Sequence, residues 1–366
     1  MSEDDFQRAK ALFLEGTGLL TQGDAAGAEE RLAASLSLLP GRPSTLANLG
    51  VARMRQGKLA EAVEPLSLAC KAEPHAVDTW WHLAEVLSRL GRLDEALGCC
   101  DSIIAIDASH AQAWSNRGGL LKDLGRTQEA ADSFRQALAH GGDREYNGWF
   151  LASLTGEPAP ATAPRGYVQG LFDNYSAGFD THLVEVLHYQ GHSVLVEELK
   201  RVAPRWFGRA LDLGCGTGLC GPLLKSTAGE VDGVDLSSAM VRAASATGAY
   251  RQVVQADVAE YVAGTDERYD LVAAADVFIY VGDLEAVFAG VRRVLRTGGV
   301  FCFSAELATA EAGYELRPSQ RYAHSHRYVR ELAARHGFEV LEFVHEAVRE
   351  EQRQPVEGLF AYLALA

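Results

Sequence analysis

Four glycines, Gly214, Gly216, Gly218 and Gly221, follow a short apolar run in LDLGCGTGLCG, residues 211–221. Such spacing lets a backbone approach a ligand. Two frames overlap: GxGxG over 214–218, and over 216–221 the GxGxxG associated with nicotinamide and flavin dinucleotides. The glycines do not choose between them, but the acids around them do. A dinucleotide loop serves a pyrophosphate at a helix N-terminus, and Asp212, two residues before the first glycine, would repel it. S-adenosylmethionine presents an ammonium and a sulfonium instead, and a cation there needs a nearby acid. Asp235, closing the run VDGVD, can accept two ribose hydroxyls, a feature NAD sites share. Asp257, in VVQADV, can accept an adenine amine. The three acids together favour the sulfonium cofactor, with a dehydrogenase as the remote alternative.

Transfer of a methyl group from a sulfonium asks mainly for in-line positioning and exclusion of water. If the acceptor must lose a proton, the candidate bases are Asp276, Tyr280, His324 and His326, in ADVFIY and YAHSH. Asp276 has a second reading as an anchor for the cofactor ammonium through its carbonyl. The two histidines have no third ligand placed by sequence, so no metal site is expected. Glu306 and Tyr314, after the fifth strand, read as residues that touch the acceptor or, in preference, as solvated loop residues. ADVFIY also lacks the Asn/Asp-Pro-Pro-Tyr loop of enzymes that methylate amino groups of bases or glutamine, which makes those substrates unfavoured.

These residues need a scaffold, and the second half supplies one. From Tyr167 the chain reads as helical to about Val202. Short apolar strands then alternate with helical patterns at 210–213, 230–235, 252–256, 271–275 and 300–304. That alternation predicts a doubly wound, Rossmann-like α/β sheet. A helix over 325–336 and runs at 338–345 and 358–364 predict a final antiparallel pair.

The first half repeats every 34 residues. With repeats starting at Ala9, Pro43, Val77 and Ala111, position 8 is Gly16, Gly50, Ala84, Gly118 and position 20 is Ala28, Ala62, Ala96, Ala130. Position 24 is Leu32, Leu66, Cys100, Phe134, and position 32 begins as Pro40 and Pro74. This part resembles the tetratricopeptide family, an α-helical solenoid of paired helices with small residues where they cross. Trp80, Trp81 and Trp114 are expected in its core, and residues 144–154 as a capping helix. TGEPAPATAPRG, residues 155–166, has the composition of a linker. The expected division is therefore 1–154 repeats, 155–166 linker and 167–366 catalytic domain.

Composition narrows the setting. The net charge of −15 divides as 15 basic against 21 acidic residues up to Leu154 and 19 against 28 beyond it, so neither half offers the basic footprint of a nucleic-acid binder. MSEDDFQRAK lacks an apolar signal core and no apolar run is long enough to span a bilayer, so a cytoplasmic, membrane-free protein is expected. The six cysteines show no metal or disulfide spacing.

LDLGCGTG, GVDLS, QADV and ADVFIYVGD resemble the class I S-adenosylmethionine-dependent methyltransferases. The whole chain, with LFDNYSAGFDTHLVEVLHY and RYAHSHRYVRELAARHGFEV, resembles bacterial methyltransferases fused to tetratricopeptide repeats. The resemblance implies that Asp212, Gly214, Cys215, Gly216 and Gly218 hold the methionine portion. It implies that Asp235 and Leu236 hold the ribose, that Met240 packs near the adenosine, and that Asp257 with Val258 meets the adenine. Tyr175 and Phe179 correspond to residues that cover the cofactor. The acceptor is expected to be a peptide or protein presented by the repeat groove. A small metabolite, with the repeats used for homodimerisation or partner binding, and a non-catalytic cofactor-binding scaffold are the alternatives.

Overall fold

The computed structural model describes residues 3–175, 189–309, 311, 313–351 and 354–366. They fall into two compact units, one up to Leu154 and one from Thr155. Among them no helix is long and apolar enough to cross a membrane.

The first unit is built of helix pairs: α1 (Glu3–Gln22) with α2 (Ala25–Leu38), α3 (Pro43–Arg55) with α4 (Leu59–Ala72), α5 (Val77–Arg89) with α6 (Leu93–Ile106), and α7 (Ala111–Asp123) with α8 (Thr127–Ala139). The position-8 glycines explain the close crossing within pairs. A Cβ added at Gly50 would lie 2.4 Å from Leu66 Cγ, and one at Gly118 2.8 Å from the Phe134 ring. At Gly16, Gly50 and Gly118, position 8 of the first helix thus receives the position-24 side chain of the second. A closing helix, α9 (Arg144–Thr155), buries Trp149 and Phe150, and Phe150 stacks on Phe134 at 5.3 Å.

Trp80 and Trp114 correct the sequence reading: they are half-buried rather than core. The indole N–H needs an acceptor and finds it in the turn before its own repeat, donating to the carbonyls of Pro74 and Ala108, each at 2.9 Å. Trp81 is likewise half-buried and stacks on His110.

The second unit is a nine-stranded sheet. Its strands are β1 (Phe207–Leu213), β2 (Ala228–Asp235), β3 (Gln252–Gln255), β4 (Tyr269–Ala274), β5 (Leu295–Leu307), β6 (Tyr314–Leu316), β7 (Tyr322–His324), β8 (Phe338–Glu351) and β9 (Gln354–Leu365). The order β3-β2-β1-β4-β5 is parallel. Antiparallel β9 lies beside β5 over Val300–Glu306 and β8 lies outside it. The far end of β5 carries β7, and β6 pairs with β7. Its helices are α10 (Arg165–Tyr175), α11 (Gly191–Val202), α12 (Gly221–Lys225), α13 (Ser238–Ala246), α14 (Val258–Gly264), α15 (Glu285–Val294) and α16 (His326–Arg335).

Both faces of the sheet are covered, as a parallel sheet requires. Phe301 and Phe303 point into a core with Phe288 and Val291 of α15, while Val300 and Cys302 point into another with Leu195 and Leu199 of α11. The strand order reverses between β1 and β4, and at such a switch point a crevice opens beyond the carboxyl ends of the strands. The loops after β1 and β4 therefore form the two walls of the candidate site.

The segment expected as a linker is packed, not free. Thr162 forms a bridge with Val281, Ala163 N–H donates to the Tyr280 carbonyl (2.9 Å), and the amides of Gly282 and Asp283 donate to the Ala161 carbonyl (both 2.8 Å). The Tyr322 hydroxyl donates to the Pro160 carbonyl at 2.9 Å. Proline and alanine composition marks the absence of periodicity, but extended proline-rich backbone is also suited to pairing with an exposed loop edge.

Candidate active site

The loop after β1 is shaped by three left-handed glycines, Gly214, Gly216 and Gly218, at φ +66°, +53° and +96°. They differ in surroundings. A side chain at Gly214 would strike Val277 at 2.4 Å and one at Gly218 would meet Thr247 at 3.0 Å, whereas among the described residues nothing lies within 4 Å of the Cβ position of Gly216. Cys215 between them is buried, its N–H pinned to the Val234 carbonyl at 3.0 Å. The loop is therefore fixed at its ends.

Two buried carboxylates belong to this loop's surroundings, one in β1 just before it and one at the end of β2. Asp212, 1% exposed, accepts a hydrogen bond from the Tyr250 hydroxyl at 2.7 Å. Burial pushes its carboxyl up to about 7. Asp235, also buried, accepts the amides of Gly216 and Ser237, both at 2.9 Å, and burial raises it too. Neither has a cationic partner among the described residues. Asp232 is the internal contrast. It is fully buried on the neighbouring strand, yet it is held by Arg209 at 2.8 Å and Arg251 at 2.7 Å. A buried carboxylate without a counter-charge is costly, and among the described residues these two are met by neutral donors alone.

Ser237 caps α13, accepting from Met240 N–H at 3.2 Å, and donates to Asp173 of α10 at 2.5 Å. Met240 is buried directly below this turn and Leu236 is half-buried. Asp257 caps α14: its Oδ1 accepts from Ala259 (2.9 Å) and Glu260 (3.1 Å). Its role in the structure is thus a helix cap, with Val258 buried beside it. The Tyr175 side chain and Phe179 lie outside the described residues.

On the other wall, Asp276 sits at φ +57°, a conformation uncommon for a non-glycine residue. Its N–H donates to Ser304 Oγ of β5 at 2.8 Å, and its carboxylate pairs with Arg349 of β8 at 3.2 Å. Tyr280 closes a 3-10 turn over 278–280, meets the edge of Phe172 at 5.6 Å, and has its hydroxyl pushed up to about 12, chiefly by burial.

His324 and Glu306 correct the sequence reading. His324 is fully buried, and its Nε2 lies 3.0 Å from the carbonyls of both Val281 and Gly282, so that nitrogen carries the hydrogen and donates. Burial pushes the ring down to about 4, which makes it a brace for the post-β4 loop and a poor proton acceptor. Glu306 is buried because β5 runs on to Leu307, and it is paired with Arg317 at 2.9 Å and with Arg349. Tyr314 is half-buried in β6, against Tyr322 and Tyr328. His326 starts α16 and its Nε2 is 2.6 Å from that of His345, away from any third ligand; the described residues hold no cluster of three or more metal-ligating side chains. Tyr250 and Arg349 were missed by sequence reading, since they stand in a loop and a terminal hairpin far from any motif.

Family models match in both units. Residues 13–76 and 76–141 match tetratricopeptide repeat models, and residues 211–303 match a methyltransferase domain model. The chain is similar to the sterol 24-C-methyltransferase of Gibberella zeae, 29% identical over 138 residues, which is 35% of this chain and 33% of that protein. It is similar to the trans-aconitate 2-methyltransferase of Paracidovorax citrulli, 31% identical over 140 residues, 38% of this chain and 49% of that protein. It is also similar to the malonyl-(acyl-carrier protein) O-methyltransferase of Hamiltonella defensa, 34% identical over 94 residues, 26% of this chain and 36% of that protein. The chain thus spans between a third and a half of the length of these curated relatives. It carries tetratricopeptide repeats followed by a methyltransferase domain.

Proposed function

We propose that the second unit binds S-adenosylmethionine and catalyses methyl transfer to a peptide or protein presented by the repeats. The observation that supports this most is the pair of buried carboxylates, Asp212 before the glycine loop and Asp235 bonded to Gly216 within it, neither with a cationic partner among the described residues. A pyrophosphate would meet repulsion there, whereas an ammonium and two ribose hydroxyls supply what the two acids lack. Asp212 and the loop glycines would hold the methionine portion, with Cys215 fixing the loop. Asp235 and Leu236 would hold the ribose, Met240 would pack beneath it, and the free oxygen of Asp257 with Val258 would meet the adenine.

The bound cofactor supplies a methyl group already activated by a sulfonium. The chain's own task is to orient the acceptor in line and keep water out, and Tyr280, Phe172 and Asp276 form the wall that does so. The covalently attached repeats raise the local concentration of any chain they bind, which favours a polypeptide acceptor. The full chain, incubated with methyl-labelled cofactor and an extract of the cells that make it, should label the protein fraction. Label confined to the deproteinised fraction would assign a small acceptor, and label in neither would leave the domain a cofactor-binding scaffold.

A further inference from the structure

We propose that Arg349 is a positioning residue for transfer: it keeps Asp276 ionised and aimed, so that Asp276 takes the proton the acceptor must lose. This rests on the methyl-transfer reading above. The acceptor's X–H bond breaks with its proton going to the Asp276 carboxylate, and the freed electron pair forms the bond to the methyl carbon. The carbon–sulfur bond breaks with its pair remaining on sulfur.

Arg349 is 2% exposed and reaches three carboxylates: Asp276 at 3.2 Å, Glu351 at 3.0 Å, and Glu306. The three do not depend on it equally. Glu306 has Arg317 as a second partner at 2.9 Å, and Glu351 has Arg321. Asp276 has no other ion pair among the described residues. Its backbone is held in the left-handed region by Ser304, an outlier of the kind that persists where surrounding structure fixes it for function.

The charged and titratable groups facing Asp276 are Arg349 from β8, Arg321 from the turn between β6 and β7, Glu306 from β5, Tyr280 from its own loop, and Tyr189 preceding α11. Burial and Glu306 push the Asp276 carboxyl up, while Arg349 and Arg321 pull it back. Without Arg349 the acid becomes harder to ionise, and a base that must be ionised then works only at higher pH.

The test uses the full chain with methyl-labelled S-adenosylmethionine and cell extract, following transfer from pH 5.5 to 9.5. In Arg349→Met the acid limb should move up by at least about one pH unit, as expected when a carboxylate loses an adjacent arginine, with rates converging on the unsubstituted chain at high pH. Arg349→Lys, which keeps the charge, should hold the limb in place. A uniform loss at every pH, or an unmoved limb in Arg349→Met, would overturn the proposal. No transfer by the unsubstituted chain at any pH would overturn the methyl-transfer reading and this with it.

A second readout needs no turnover. In cofactor-free protein, the stability lost by Arg349→Met should be greater at pH 8 than at pH 6, and adding Asp276→Asn should remove most of that difference. A loss equal at both pH values, or one that Asp276→Asn leaves unchanged, would show that Asp276 does not depend on Arg349.

Discussion

Asp212→Asn should stabilise the cofactor-free catalytic unit while weakening the binding of S-adenosylmethionine. In the folded chain the Asp212 carboxyl is raised from an ordinary 3.8 to about 7 by burial, and the Tyr250 hydroxyl only partly offsets this. A raised folded value means that the protonated acid favours folding. Its stabilising contribution is complete below about pH 4 and is lost as pH rises towards 7. Relative to a group that does not titrate, Asp212 therefore costs the cofactor-free fold about 1.7 kcal/mol at pH 5, where folding must take up a proton, and about 4 kcal/mol at pH 8, where it is buried ionised, as orders of magnitude. Asparagine keeps the shape and still accepts from Tyr250, so it removes this cost.

His324 runs the opposite way. Its ring is pushed from 6.5 down to about 4, so its contribution is complete above pH 6.5 and is lost as pH falls, by about 3 kcal/mol. The two slopes oppose each other in the unsubstituted chain. The difference between it and Asp212→Asn is the quantity to measure. Urea denaturation, read by pulsed hydrogen exchange over β1 and β4, should show the variant's advantage growing by about 2.5 kcal/mol from pH 5 to pH 8. An advantage independent of pH, or a variant less stable at pH 8, would refute the reasoning.

Asp235→Ala removes the acceptor of two loop amides as well as the expected ribose contacts, so it should weaken cofactor binding by about 1.5 to 3 kcal/mol per lost charge-assisted bond. Unchanged affinity in calorimetry would reject that role. A chain starting at Thr155 should keep the cofactor affinity of the full protein, whereas one starting at Arg165 loses the bonds of Ala161 and Ala163 to the post-β4 loop and that of Pro160 to the Tyr322 hydroxyl of β7. At about 0.5 to 1.5 kcal/mol per bond, the shorter chain should melt clearly lower by scanning calorimetry. Equal melting would show the connector to be dispensable. Gly50→Val places side-chain atoms against Leu66 and should destabilise the repeat unit by about 1 to 3 kcal/mol with cofactor affinity unchanged; a matching fall in affinity would contradict the separation of roles.

Periodicity made most of the fold legible. A 34-residue register and alternating apolar strands are local signals, so the helix pairs, the five parallel strands and the final hairpin could be read directly. The glycine loop with Asp212 was legible for the same reason, since they lie within one strand and turn, and Asp235 because it closes the next apolar strand. Contacts distant in sequence were not. Arg349 meets Asp276 across 73 residues and Tyr250 meets Asp212 across 38, and neither spacing has a pattern. Composition misled at residues 155–166, where proline and alanine marked irregular backbone without revealing that it pairs with another loop. At His324 the residue type suggested a base, but full burial and two carbonyl neighbours decide its chemistry.

The most direct test is calorimetric titration of the full, cofactor-free chain with S-adenosylmethionine at pH 6.5 in two buffers of different ionisation heat. An ammonium brought beside Asp212 must drive off the proton that burial keeps there. With its carboxyl at about 7, saturable one-to-one binding should release about three-quarters of a proton per cofactor at this pH, and Asp212→Asn should bind more weakly and release almost none. Absence of binding, or binding with the same proton release in both proteins, would contradict the account.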